Sequence, residues 1–150
     1  MKFLKIKPHQ EILSKSWCGP AVLKMILEFY SVKISDKELA RLAGTTFKAG
    51  TNAEQIRRVL KLFGLKVKIK DNSTFEDIKK YIHKNIPVIV DWFTRGRREN
   101  PDSVVSDGHY SIVVGLDKKY IYLQDPEIGK MRKIKREDFL KVWFDYTGAV

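Results

Sequence analysis

The sequence predicts an α+β fold with segregated halves, and two observations carry that prediction. In the first half, apolar residues recur at helical spacing behind polar capping residues. In the second, the pattern changes to β-branched and alternating runs separated by turn residues. No repeat, low-complexity run or linker divides the 150 residues. A single domain over 1–150 is therefore expected, its N-terminal helical half packed on a C-terminal antiparallel sheet.

The elements follow in order. From Pro20 to Tyr30, Val22, Leu23, Met25, Ile26, Leu27, Phe29 and Tyr30 form a stripe broad enough for a largely buried helix. Ser35 with Glu38 has capping-box spacing and opens a short helix that should stop at Gly44. Thr51 with Glu54 repeats the signal before Ile56, Val59, Leu60 and Phe63, with Gly64 as the stop. Leu65 to Lys70 alternates apolar residues with lysine, the pattern of a half-buried strand. Ser73 with Glu76 is a third box, ahead of a helix carrying Ile78, Tyr81 and Ile82. Ile86 to Phe93 then reads as a buried strand, and 94–107 as a long polar loop of the kind that often serves function. His109–Leu116 and Tyr120–Asp125 form a hairpin around Asp117-Lys118-Lys119. Met131–Ile134 adds a strand and Arg136–Trp143 a closing helix.

Composition narrows the function classes. With 43% apolar residues, three Trp, eight Phe and six Tyr, the chain has the means to build a core. It has no apolar run near the ~20 residues that cross a bilayer, and its start alternates charge with hydrophobe, unlike a secretory signal. One Cys excludes an internal disulfide, and with three scattered His it argues against a zinc site. No metal or cofactor is expected. The reading is a soluble, cytoplasmic chain or a piece of something larger. The net charge of +11, from 29 Lys and Arg against 18 Asp and Glu, favours acidic partners. Lysine is scattered over nearly every segment, however, which a solvated surface explains, and no nucleic-acid-binding motif accompanies the charge. Only Arg95-Gly96-Arg97-Arg98 and residues 130–136 are dense.

Three residues far apart in sequence carry the candidate chemistry. Cys18 precedes Gly19-Pro20 at the start of the buried helix, and proline is favoured at a first helical position. The helix dipole and free N–H groups there favour a thiolate, the nucleophilic form, while a buried inert cysteine is the alternative. His109 begins a strand at the end of the polar loop, and Asp125 ends the next strand before Pro126. A three-residue hairpin loop places Ser111 opposite Asp125 and His109 diagonal to it on the same face. A two-residue turn sends Asp125 to the opposite face. In the first register Asp125 accepts from one ring nitrogen of His109 and leaves the other for Cys18. Arg95, Arg97 and Arg98 suit an acidic substrate or a C-terminal carboxylate, or simply a solvated loop. Trp92 lines either the cleft or the core.

These residues form a pattern. Ser16-Trp17-Cys18-Gly19-Pro20-Ala21, Gly50-Thr51, Gly108-His109-Tyr110-Ser111-Ile112-Val113-Val114-Gly115 and Asp125-Pro126-Glu127-Ile128-Gly129 occur in order. Together they resemble the bacteriocin-processing cysteine peptidase family and its stand-alone relatives, over about residues 8–145, Phe139 and Trp143 included. The resemblance implies a papain-like fold and a triad with Cys18 as nucleophile, His109 as general base and then acid, and Asp125 as orienting group. It implies a peptide or protein substrate and an oxyanion donor from a glutamine before the cysteine. Gln10 is the candidate for that donor, further upstream than the family's usual spacing. Gln124 is a second candidate, which strand alternation points away from the face of Asp125. Trp17 stands where bacteriocin-processing members commonly have an acidic residue, and the exporter usually fused to them does not follow here. The triad specifies acyl chemistry and leaves hydrolysis, acyl transfer and leader binding without cleavage as readings.

Overall fold

The computed structural model describes residues 2–11, 17–46, 50–92 and 109–146, with side chains to Trp143. Among these described residues four helices come first, α1 (Cys18–Phe29), α2 (Asp36–Ala43), α3 (Ala53–Leu62) and α4 (Phe75–His83). Four strands follow, β1 (Val88–Trp92), β2 (His109–Leu116), β3 (Tyr120–Asp125) and β4 (Lys130–Lys135), and then α5 (Arg136–Tyr146). The strands form one antiparallel sheet in the order β1-β2-β3-β4. Helices α1, α4 and α5 pack on the sheet, while α2 and α3 pack on α1. The predicted segregation into a helical half and a sheet half is what the chain builds.

Helix α1 is the axis of the core. Val22, Leu23, Met25, Ile26 and Leu27 are all buried, as are Ile112, Val113, Ile121 and Leu123 on the strands and Phe139 on α5. Gly19 sits where α1 meets the Gly50-Thr51 segment. A Cβ there would lie 2.5 Å from the Thr51 Cβ, so only glycine lets the two backbones approach this closely. That contact ties the second motif of the pattern to the residue following Cys18.

The helix starts correct the expected caps in detail. Ser35 accepts from the Glu38 N–H at 3.2 Å, and Gly44 ends α2 in the left-handed region at φ +74°. Glu38 does not reach back, because its carboxylate is taken by Arg41. At the next two helices the capping box lies one residue later than expected, Asn52 with Gln55 and Thr74 with Asp77. The residues expected to cap are engaged elsewhere: Thr51 shares a 2.6 Å hydrogen bond with Thr45, and Ser73 donates to the Lys70 carbonyl. Leu65–Lys70 is a second correction, since among the described residues it joins no sheet and instead lines a cavity of about 590 Å³ with Ile26, Leu60, Tyr81 and Val90. Alternation records only that one side is covered, and packing over a cavity covers it as well as a ladder does.

The hairpin resolves the two registers left open above. Asp117 N–H donates to the Tyr120 carbonyl at 3.0 Å, Leu116 pairs with Ile121 and Gly115 with Tyr122, the pairing of a tight two-residue turn. Beyond it, Val113 pairs with Leu123 and Ile112 with Gln124, so Val114 is an extra residue in β2, a β-bulge. The bulge returns the far half of the hairpin to the register of the three-residue loop, which continues to Ser111 opposite Asp125. A one-residue slip would turn His109 to the other face. The N-terminal segment braces this point. Leu4 N–H donates to the Val114 carbonyl at 2.8 Å, and the Phe3 ring fills the space over Gly115.

Candidate active site

Cys18 is the first residue of α1 and is 6% exposed. His109 is the first residue of β2 and Asp125 the last of β3, both buried. The fold brings all three to one place. Cys18 Sγ lies within 4.8 Å of a ring nitrogen of His109, and His109 Nε2 is hydrogen-bonded to Asp125 Oδ1. With Nε2 committed to the carboxylate, Nδ1 is the nitrogen left to exchange a proton with sulfur.

The imidazole side is held by charge. Asp125 Oδ1 also accepts from the Glu127 backbone N–H at 3.0 Å, and Oδ2 lies 2.9 Å from Arg132 Nε. Glu127 Oε1 is 3.7 Å from Arg132, and its Oε2 is 3.8 Å from His109 Nε2. The Arg132 guanidinium lies 5.7 Å from the centre of the Trp92 ring, which itself stands edge-on to His109. Trp92 is 4% exposed and donates to Ser111 Oγ at 3.0 Å, so of its two expected settings it takes the core and supports the histidine from behind.

The sulfur side differs from expectation. Placement at a helix N-terminus should favour the thiolate, yet burial pushes the Cys18 thiol up to about 12. A backbone hydrogen bond from Tyr110 acts the other way, and the charges of Glu11, Asp91 and Asp125 add to the rise. Desolvation outweighs the helix end because the sulfur is shut away from water, where an isolated charge is costly. At rest the group is a thiol.

The remaining expectations divide. Gln10 is exposed, its side-chain nitrogen 3.4 Å from the Glu127 carbonyl and its stem against Gly129, so it does not flank the sulfur as expected. Its neighbour does: a carboxylate oxygen of Glu11 lies within 4.8 Å of both Cys18 Sγ and the His109 nitrogen. Gln124 donates to the Ile6 carbonyl at 2.9 Å, in keeping with its turning from Asp125. Arg97, with Arg95 and Arg98, lies outside the described residues. Sequence reasoning missed Glu11, Glu127 and Arg132 as members of the site. Arg132 had a signal, since in β4 it pairs with Leu123, diagonal to Asp125 on the same face.

Comparison with known proteins agrees with this architecture. The model of the Peptidase_C39 like family matches residues 3–149. The lactococcin transport/processing ATP-binding protein LcnC-like of Lactococcus lactis is 32% identical over 146 residues, which is 95% of this chain and 18% of that protein. The chain thus spans under a fifth of that relative's length. Among solved structures, the peptidase domain of Streptococcus ComA, a bifunctional ABC transporter involved in a quorum-sensing pathway, superposes with a TM-score of 0.72 at 26% identity, covering 92% of each chain. A C39-like peptidase from Bacillus anthracis superposes with a TM-score of 0.79 at 16% identity, over 97% of this chain and 94% of that one. The fold is that of papain-like peptidase domains.

Proposed function

From the premise that this chain belongs to the peptidase C39-like family, a membership that supports a cysteine peptidase function, we propose that it hydrolyses peptide bonds through a Cys18–His109–Asp125 triad. The observation that carries the reading is the approach of Cys18 Sγ to the ring of a histidine whose far nitrogen is bonded to a buried aspartate. His109 takes the thiol proton as sulfur attacks the substrate carbonyl. The Cys18 backbone N–H, in the first turn of α1, donates to the oxyanion. His109 then gives its proton to the leaving amine, and water hydrolyses the thioester. The raised thiol pKa makes this a general-base mechanism in which the proton leaves sulfur during attack. The Lactococcus relative's name describes processing and transport, and the same class of substrate, a peptide or protein segment, is assigned here. An acidic segment suits the charge of +11.

A non-catalytic relative that binds peptides is the second reading, and the thiol held at about 12 favours it. One experiment separates the two. The protein is incubated with a p-nitrophenyl ester of an N-acylated glycine, and nitrophenol release is followed for wild type and Cys18→Ala. Release by wild type and none above background by Cys18→Ala is expected. Equal release by both overturns the peptidase reading.

A further inference from the structure

Among the described residues, two sets of side chains bring metal-binding atoms within 4.8 Å of one another: Glu11 with Cys18 and His109, and His109 with Asp125 and Glu127. Charge separates the two sets. In the second, the Arg132 guanidinium lies 2.9 Å from Asp125 and 3.7 Å from Glu127, so both carboxylates already face a cation. At Cys18 the charges that act are those of Glu11, Asp91 and Asp125, all negative. A sulfur shut away from water in such a field is a poor place for a lone anion and a good one for a sulfur-bound cation. One cysteine and three scattered histidines argue against zinc in the sequence, yet the fold gathers one of each beside a carboxylate.

The geometry suits a metal ion. Three atoms within 4.8 Å of one another share a point no more than about 2.8 Å from each, and zinc holds sulfur, nitrogen and oxygen at about 2.0–2.3 Å. Side-chain shifts of under about 1 Å therefore close a three-ligand shell. His109 is already oriented for it. Its Nε2 is bonded to Asp125 Oδ1, and a zinc-bound histidine almost always gives its other ring nitrogen to such a partner. Glu11 is anchored by its backbone, whose N–H donates to the Pro126 carbonyl at 2.8 Å. The turn after β3 thus places one ligand directly and, through Asp125, orients another.

Resting on the peptidase reading, we propose that Cys18 Sγ, His109 Nδ1 and a Glu11 carboxylate oxygen bind a thiophilic divalent cation, zinc above all, whose occupancy holds the peptidase off. On binding, the sulfur–hydrogen bond breaks, the proton passes to solvent, and the sulfur pair forms the bond to zinc, with water in the fourth position. Nothing is oxidised or reduced, so a chelator that removes the metal returns a proton from water to the sulfur. The bound ion engages the sulfur pair that attacks and the ring nitrogen that receives the proton, and acylation stops.

The test uses the full chain, stripped with a chelator and titrated with zinc sulfate. Native mass spectrometry counts the metal, competition with a chromophoric chelator gives Kd, and iodoacetamide alkylation reports whether Cys18 is covered. One zinc per chain is expected, with alkylation of Cys18 slowed at least about tenfold at saturation and restored by chelator. Glu11→Gln is expected to bind zinc at least about tenfold more weakly than wild type, because the anionic ligand is gone, and Cys18→Ala more weakly still. Nitrophenol release from the ester by wild type should fall with the same half-saturating zinc concentration. Alkylation of wild type at an unchanged rate in saturating zinc overturns the site, and so does one Kd shared by wild type and Glu11→Gln; both leave the peptidase reading standing. If zinc covers Cys18 but the metal-free chain releases no more nitrophenol than Cys18→Ala, the peptidase reading and the switch are overturned and the ligand assignment stands.

Discussion

The two sides of the site are built from opposite materials. Cys18 stands on a helix whose first turns are buried among apolar side chains, and its thiol is held protonated by that dryness. His109 stands in a chain of charges, with Asp125, Glu127 and Arg132 linked one to the next. A buried ion is costly unless paired, so the apolar side keeps its proton while the polar side is prepared to carry charge. The difference teaches that placement at a helix end does not by itself make a cysteine a resting thiolate. On the proposed mechanism, reactivity is a property of the pair, and the proton moves from the dry side to the charged side only when substrate is there to receive the sulfur.

Changes on each side test that contrast, and the largest effect is expected on the charged one. Asp125→Asn should preserve the fold and lower kcat by roughly 10³–10⁴-fold, as the equivalent aspartate-to-asparagine change does in serine proteases, where it leaves the histidine in the wrong tautomer. Steady-state kinetics beside a thermal melt would check it. Arg132→Met removes the partner of Asp125 Oδ2 and is expected to lower stability by about 2 kcal/mol. A drop in kcat with little change in KM would mark it as a residue that positions Asp125. On the dry side, Gly19→Ala forces a Cβ against Thr51 and should cost about 1–3 kcal/mol in denaturant unfolding, with slower acylation as the start of α1 shifts.

The dry side also makes a pH prediction. The thiol is raised from 9.0 to about 12, so between those values the native protein keeps a proton that the unfolded chain releases. Stability is then lost as pH rises through that window, and Cys18→Ala should lose less over the same range. Urea unfolding across the alkaline range measures the difference. The smallest effect is expected far from both sides. Arg41 and Glu38 form an exposed pair within α2, and Arg41→Ala should leave the melting temperature unchanged.

How much of this was legible follows from which signals are local. Helix positions and the strands from His109 to Asp125 were readable because periodicity, caps and a hairpin are short-range features, whereas the joining of Cys18 to His109 and Asp125 was an expectation from the family resemblance. The exact caps were not, since Thr51 and Ser73 are drawn into contacts that depend on tertiary neighbours. The bulge at Val114 has no mark in the sequence beyond Gly115, yet it decides which face His109 occupies. Glu11 was hidden by its neighbour, because the resemblance asked for a glutamine and Gln10 supplied one. The resting state of Cys18 was hidden for another reason: a helix N-terminus is visible in a sequence, whereas the depth of burial around it is a sum over the whole fold.

The central claim is that the sulfur of Cys18 reacts only by handing its proton to His109. Intact-mass spectrometry after brief exposure to the nitrophenyl ester at neutral pH, comparing wild type with His109→Ala, tests it most directly. One acyl group on Cys18 in wild type and none in His109→Ala over the same interval is the predicted result. Equal labelling of the two proteins would contradict it.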